Sequence, residues 1–128
     1  MSSHRISPPR YEVGERLLRW WGLEHGEMVE IVRSTGSAPW PRFLRLRYEN
    51  GTFGETNPQN LYLPGPLFDA FVAAYKRAMA LRRPYGAPQT DAWVAAAREC
   101  EQAEDAAFRA HPAGARWRDD YPETRWHL

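Results

Sequence analysis

The sequence predicts an α+β protein. Four or five short strands roll into a small barrel or strongly bent sheet, and an antiparallel helical hairpin and an irregular aromatic tail follow. Three observations carry that prediction. Residues 11–63 alternate apolar and polar side chains in short runs broken by Gly, Pro and Asn. At Gly65 the apolar period lengthens from that of a strand to that of a helix. Beyond Pro112 no period remains, and Trp117, Tyr121 and Trp126 stand among charges. The expected divisions are a flexible N-terminus (1–10), the barrel (11–64), the hairpin packed on it (65–111) and the tail (112–128).

The strand half divides by its turn residues. "YEVGERLLRWWG" (11–22) sets Val13, Leu17, Leu18, Trp20 and Trp21 among charged residues. "GEMVEIVRS" (26–34) carries Met28, Val29, Ile31 and Val32, rich in β-branched side chains that fit a pleated surface. In the third run Leu44, Leu46 and Tyr48 fall on one face, and Phe43, Arg45 and Arg47 on the other. Asn50-Gly51 is a strong hairpin signal, read here as a type I′ turn with positive φ at both residues. "TFGET" (52–56) is the return strand, and "NPQNLYL" (57–63) a turn into a short last strand bearing Leu61 and Leu63. Two prolines make "GSAPWP" (36–41) a loop, which carries Trp40. Adjacent Trp20 and Trp21 must face opposite sides of a strand, and register does not say which faces out.

In the helical half, Pro66 suits a first helical position, where its missing N–H is no loss. Leu67, Phe68, Phe71, Val72, Tyr75, Ala78 and Met79 follow at helical spacing, and Pro84 stops the run. A second helix starts at Thr90 or Asp91, both good caps, and ends around His111-Pro112. Its stripe is Trp93, Ala96, Ala97, Cys100, Ala103, Ala107 and Phe108. Residues 64–88 hold Lys76, Arg77, Arg82 and Arg83 against Asp69. Residues 89–110 hold Asp91, Glu99, Glu101, Glu104 and Asp105 against Arg98 and Arg109. Opposite charge and a short connection predict antiparallel neighbours.

Composition narrows the function. Over 128 residues, 43% hydrophobic content and six Trp supply a core, which argues against wholesale disorder. Seventeen basic and sixteen acidic residues nearly cancel, whereas a dedicated nucleic-acid binder shows a basic excess or a basic face. Cys100 is the one cysteine, so no internal disulfide forms. No stretch has the length and apolarity of a membrane span, and residues 1–10 lack the apolar run of a signal peptide. A cytoplasmic protein without membrane attachment is the expectation.

The order of features in residues 11–63 resembles the SH3-like small β-barrels, a superfamily that includes Tudor-like, KOW-type and CarD-like domains. The resemblance rests on "YEVGERL", "GEMVEIV" and "FLRLRYENG", with "NPQNLYL" similar to the turn into such a barrel's final strand. It implies a closed barrel of four or five strands that binds protein or nucleic acid. The superfamily shares no catalytic residues, so none is carried over. The chain lacks the basic, glycine-centred loop of KOW domains, and only two helices are expected after the barrel, unlike CarD-like proteins.

Sites of chemistry are absent from the pattern. His4, His25, Cys100, His111 and His127 have no metal-ligand spacing. No phosphate-binding glycine loop or nucleophile elbow occurs, and Asp119-Asp120 reads as solvated acid. The chain is therefore expected to be a non-enzymatic protein-binding module without metal or cofactor, a regulator or inhibitor of a larger complex. The alternative is nucleic-acid binding through the arginine-lined strand face. The candidate surface comprises Trp20, Trp21, Trp40, Arg42, Phe43, Arg45, Arg47 and Phe53. Trp117, Tyr121 and Trp126 are candidate partner anchors, though burial statistics favour their packing back on the domain. Glu30, Glu49 and Glu55 are expected as cross-strand partners of the arginines.

Overall fold

A computed structural model describes residues 10–20, 26–35, 43–56 and 58–121, with the backbone alone at 34, 35 and 43. The chain is α+β. Its strands are β1 (Arg16–Arg19), β2 (Glu27–Thr35), β3 (Phe43–Tyr48), β4 (Phe53–Thr56) and β5 (Leu61–Tyr62). Helices α1 (Pro66–Leu81), α2 (Asp91–Arg109) and α3 (Pro112–Asp120) follow.

The strands form one antiparallel sheet in the order β4-β3-β2-β1-β5. Strands β1 to β4 are a meander, and the chain then returns through a one-turn 3-10 helix (Pro58–Asn60) to lay β5 beside β1. Register shifts between Ile31 and Arg33 in β2, a bulge of the kind that bends a strand. The sheet is not a closed barrel, contrary to the sequence reading. Its last strand is two residues long and pairs with β1 alone, so β4 and β5 remain separate edges among the described residues.

The hairpin after β3 stands where Asn50-Gly51 places it, but its turn is not type I′. Gly51 has φ 85, whereas no non-glycine residue has positive φ among the described residues. Gly51 N–H donates to the Tyr48 carbonyl at 3.0 Å, and Tyr48 N–H donates to the Thr52 carbonyl at 2.8 Å. That pattern is a three-residue loop closed by a left-handed glycine. Asn50 keeps negative φ because its Oδ1 accepts from the backbone N–H of Thr52 at 3.0 Å and from its hydroxyl at 2.6 Å.

Alternation in the strands supplies two cores. On the inner face Leu17, Val29, Ile31, Leu44, Leu46 and Leu61 are buried with Tyr11 and Ala113. On the opposite face, at the β1–β5 side, Leu18 stands across from Tyr62 and Trp20 follows. There α1 and α2 cover the sheet with Phe68, Phe71, Ala74, Ala78, Cys100, Ala107 and Phe108. Trp20 meets Phe71 edge-on at 4.7 Å and Tyr75 at 4.9 Å. It is thus a core residue under the hairpin, because it shares the parity of Leu18 rather than that of Leu17.

Both hairpin helices form as the stripes predict, with Pro66 at the start of α1 and the Thr90 hydroxyl capping α2 by accepting from Trp93 N–H. Arg77 and Glu99 pair across them at 2.7 Å. The tail is a further correction, since residues 112–120 are helical. His111-Pro112 ends one helix and starts the next: the Nδ1 of His111 accepts from Ala113 N–H at 3.0 Å, and Pro112 takes the first turn. Trp117 packs against both cores, which joins the sheet interior to the helical layer.

Candidate interaction surface

The sheet's outer face is set by strand alternation and register. One row across the strands reads Arg16, Glu30, Arg47, Phe53, and the next reads Arg33, Arg45, Glu55. Cross-strand partners share a face, so these seven side chains form one surface. Arg47 donates to Glu30 at 2.6 Å, as expected of a cross-strand pair. Glu55 stands opposite Arg45, as its position in "TFGET" suggests. Arg33 also stands opposite Arg45, a like-charge pair.

Phe53 is the apolar centre of this surface. It lies on edge strand β4, is 53% exposed, and has the Arg45 guanidinium 5.2 Å from its ring centre. Beside it runs a shallow groove of about 160 Å³ whose charged lining is Arg16, Arg47, Glu30 and Glu49. Among the described residues the face therefore sets four arginines against three glutamates. That small excess is far from the concentrated positive charge that backbone binding of nucleic acid draws on.

The remaining candidates are scattered. Trp21, Trp40, Arg42 and Trp126 lie outside the described residues, and of Phe43 only the backbone is described. Trp20 is buried and Trp117 half-buried, so neither belongs to the surface. Tyr121 is exposed, with its ring 4.5 Å from that of Trp117.

Sequence reasoning missed a buried ionic cluster. Glu104 is 1% exposed and Arg118 5%. Arg118 donates to both Glu104 oxygens, at 3.1 and 2.9 Å, and to Asp105 at 2.8 Å. Tyr62 adds its hydroxyl to Glu104 at 3.0 Å, and the Arg118 guanidinium lies 4.5 Å from the Phe108 ring centre. Burial works against the Arg118 charge, but hydrogen bonds and attraction from Glu104 and Asp105 outweigh it, and its pKa is raised. The signal was in the sequence: Glu104 falls on the apolar stripe between Cys100 and Phe108, where a carboxylate needs a partner.

A second buried group lies at the start of α3. The His111 ring stacks on Tyr11 at 4.4 Å, and its Nε2 is 3.0 Å from Glu15. A backbone N–H can only donate, so Nδ1 is the acceptor and the ring proton sits on Nε2, facing the carboxylate. Apart from the Tyr11 hydroxyl, both clusters spend their polar atoms on protein partners, and they hold α3 in place. Among the described residues no group of His, Cys, Asp and Glu has the arrangement of a metal site. No helix of the described residues is long and apolar enough to cross a membrane. Comparison with protein-family models, curated proteins and solved structures finds no match to this chain.

Proposed function

We propose that the protein is a non-enzymatic protein-binding module that docks a partner on the outer face of β2–β4. The observation that carries this reading is Phe53, half exposed on an edge strand with Arg45 against its ring. An exposed aromatic ring with an arginine against it is the composition enriched at protein interfaces. The meander order, the bulged β2 and the 3-10 turn before β5 support kinship with SH3-like domains, here with a sheet that stays open. The expected role is regulation or inhibition of a larger assembly, in the cytoplasm. Affinity capture from the native host tests it. Wild-type protein is expected to retain a specific partner that Phe53→Ser and Arg45→Glu both lose, with unchanged circular dichroism. Recovery of nothing, or of the same proteins by all three, overturns the reading.

Nucleic-acid binding is the second reading, favoured by one observation. Arg33 and Arg45 stand directly opposite each other, and neither has an ion pair among the described residues. Anisotropy of labelled single-stranded DNA and RNA at low salt decides it. Binding that falls steeply with added salt and is abolished by Arg45→Glu supports it; no binding at low salt excludes it.

A further inference from the structure

The loop joining α1 to α2 is braced from within. Gln89 accepts from Arg83 N–H at 3.1 Å and donates back to the Arg83 carbonyl at 3.4 Å. Ala87 N–H donates to the Pro84 carbonyl at 3.1 Å, and Gly86 turns the chain with φ 88. A loop held this way has little freedom left to lose on contact. It presents Tyr85 wholly to solvent, at 103% relative exposure, beside exposed Leu81, Arg82 and Arg83. Neither guanidinium has an ion pair among the described residues, and residues 82–90 contain no acid.

A complementary surface lies on the outer side of α2. An open groove of about 390 Å³ is lined, among the described residues, by Arg98, Glu101, Gln102 and Asp105. Its acids outnumber its base. Glu101 has no ion pair among the described residues, whereas Asp105 already holds Arg109 and Arg118. The ten residue steps from Asp91 to Glu101 span about 15 Å of helix, too far for the tip to reach the groove of its own chain. Two α2 helices running antiparallel about a two-fold axis near Ala95 bring each tip to the other's groove. Such a contact is made twice and closes on itself.

We propose that a second copy of this chain occupies the groove: Tyr85 of each protomer enters it, with Arg82 and Arg83 against Glu101. The contact uses neither Phe53 nor the outer sheet face, so it stands or falls apart from the partner-binding reading. Sedimentation equilibrium on the purified chain, from micromolar to millimolar, tests it. The wild type is expected to dimerise at low salt and to weaken as salt is added. Tyr85→Ala weakens association about tenfold or more. Arg83→Glu and Glu101→Arg each abolish it, with unchanged circular dichroism. An equimolar mixture of those two charge-reversed chains restores a mixed dimer, because one tip then carries Glu where the facing groove carries Arg. A monomeric wild type, a dimer indifferent to these substitutions, or a mixture that stays monomeric overturns the proposal.

Discussion

Tyr11 shows how far a single residue can depart from what its type suggests. Its ring is 1% exposed and stacks on His111, yet its hydroxyl has no hydrogen-bond partner among the described residues. Burial, and then the nearby Glu15 carboxylate, push its pKa above the ordinary value near 10. In the unfolded chain the phenol ionises near that value, while in the folded protein it stays neutral to higher pH. Its contribution to stability is therefore complete below pH 10 and is lost as the pH rises beyond it. Tyr11→Phe keeps the ring, removes the orphan hydroxyl and cannot ionise. It is expected to equal or exceed the wild type in urea denaturation at pH 7 and to flatten the alkaline loss of stability. A Phe variant clearly less stable at pH 7 would point to a hydroxyl partner beyond the described residues. Only packing shows that this ring is buried and that its hydroxyl is unsatisfied.

Among the elements, α3 departs most from its sequence reading and depends most on others. It is nine residues long, too short to be stable in isolation, and is held by contacts to α2 and the sheet. Arg118 locks it to Glu104 and Asp105, Arg109 reaches Asp119 at 2.7 Å, and His111 faces Glu15. Its first turn comes so close to α2 that a Cβ at Gly114 would meet the Phe108 carbonyl oxygen at 2.5 Å. Arg118→Ala leaves the Glu104 carboxylate buried without its counter-charge and is expected to cost about 3–5 kcal/mol in urea denaturation. Replacing the cluster as a whole, with Glu104→Leu, Arg118→Leu and Tyr62→Phe, removes the stranded charge as well. Most of that loss should then be recovered. If the triple variant is no better than Arg118→Ala, specific geometry rather than stranded charge is what matters. The period of α1 and α2 was legible because each buries a continuous apolar stripe. That of α3 was not, because its buried residues are Ala113, Gly114 and Arg118, with Trp117 the one large apolar side chain packed inward.

For the whole molecule, α3 lies where the sheet stays open. Ala113 and Trp117 cover inner-face residues that a closed barrel would shield with its own strands, and Trp117 also touches the helical core. Deleting residues 112–128 should therefore expose Leu17, Ile31, Leu44 and Leu46 together and strand Glu104. The expected outcome is strong binding of an apolar dye, loss of near-ultraviolet dichroism and no cooperative thermal transition. A truncated chain that melts cooperatively would show that the sheet and hairpin are self-sufficient. The outer sheet face was partly legible: strand alternation put Arg45 and Arg47 outside, and the glutamates of the same half foretold their near neutrality. Which residues share that face was not, because the bulge in β2 sets Arg33 rather than Val32 across from Arg45.

The sequence by itself determined the α+β class, the places where strands turn and the two hairpin helices begin, and the residues Leu44, Leu46, Phe71 and Phe108 as core. Each of these follows from local periodicity or from backbone limits on Gly and Pro, which neighbours in space do not alter. Tertiary structure alone decided that the sheet stays open, that Trp20 is buried, that Asn50 keeps negative φ, and that Glu104 and Arg118 meet in the interior. Glu104 and Arg118 lie 14 positions apart, and the other outcomes rest on register, packing between distant elements or side-chain hydrogen bonds. A one-residue shift in register exchanges the two faces of a strand. The cost of burying a charge depends on a partner that chain order does not reveal.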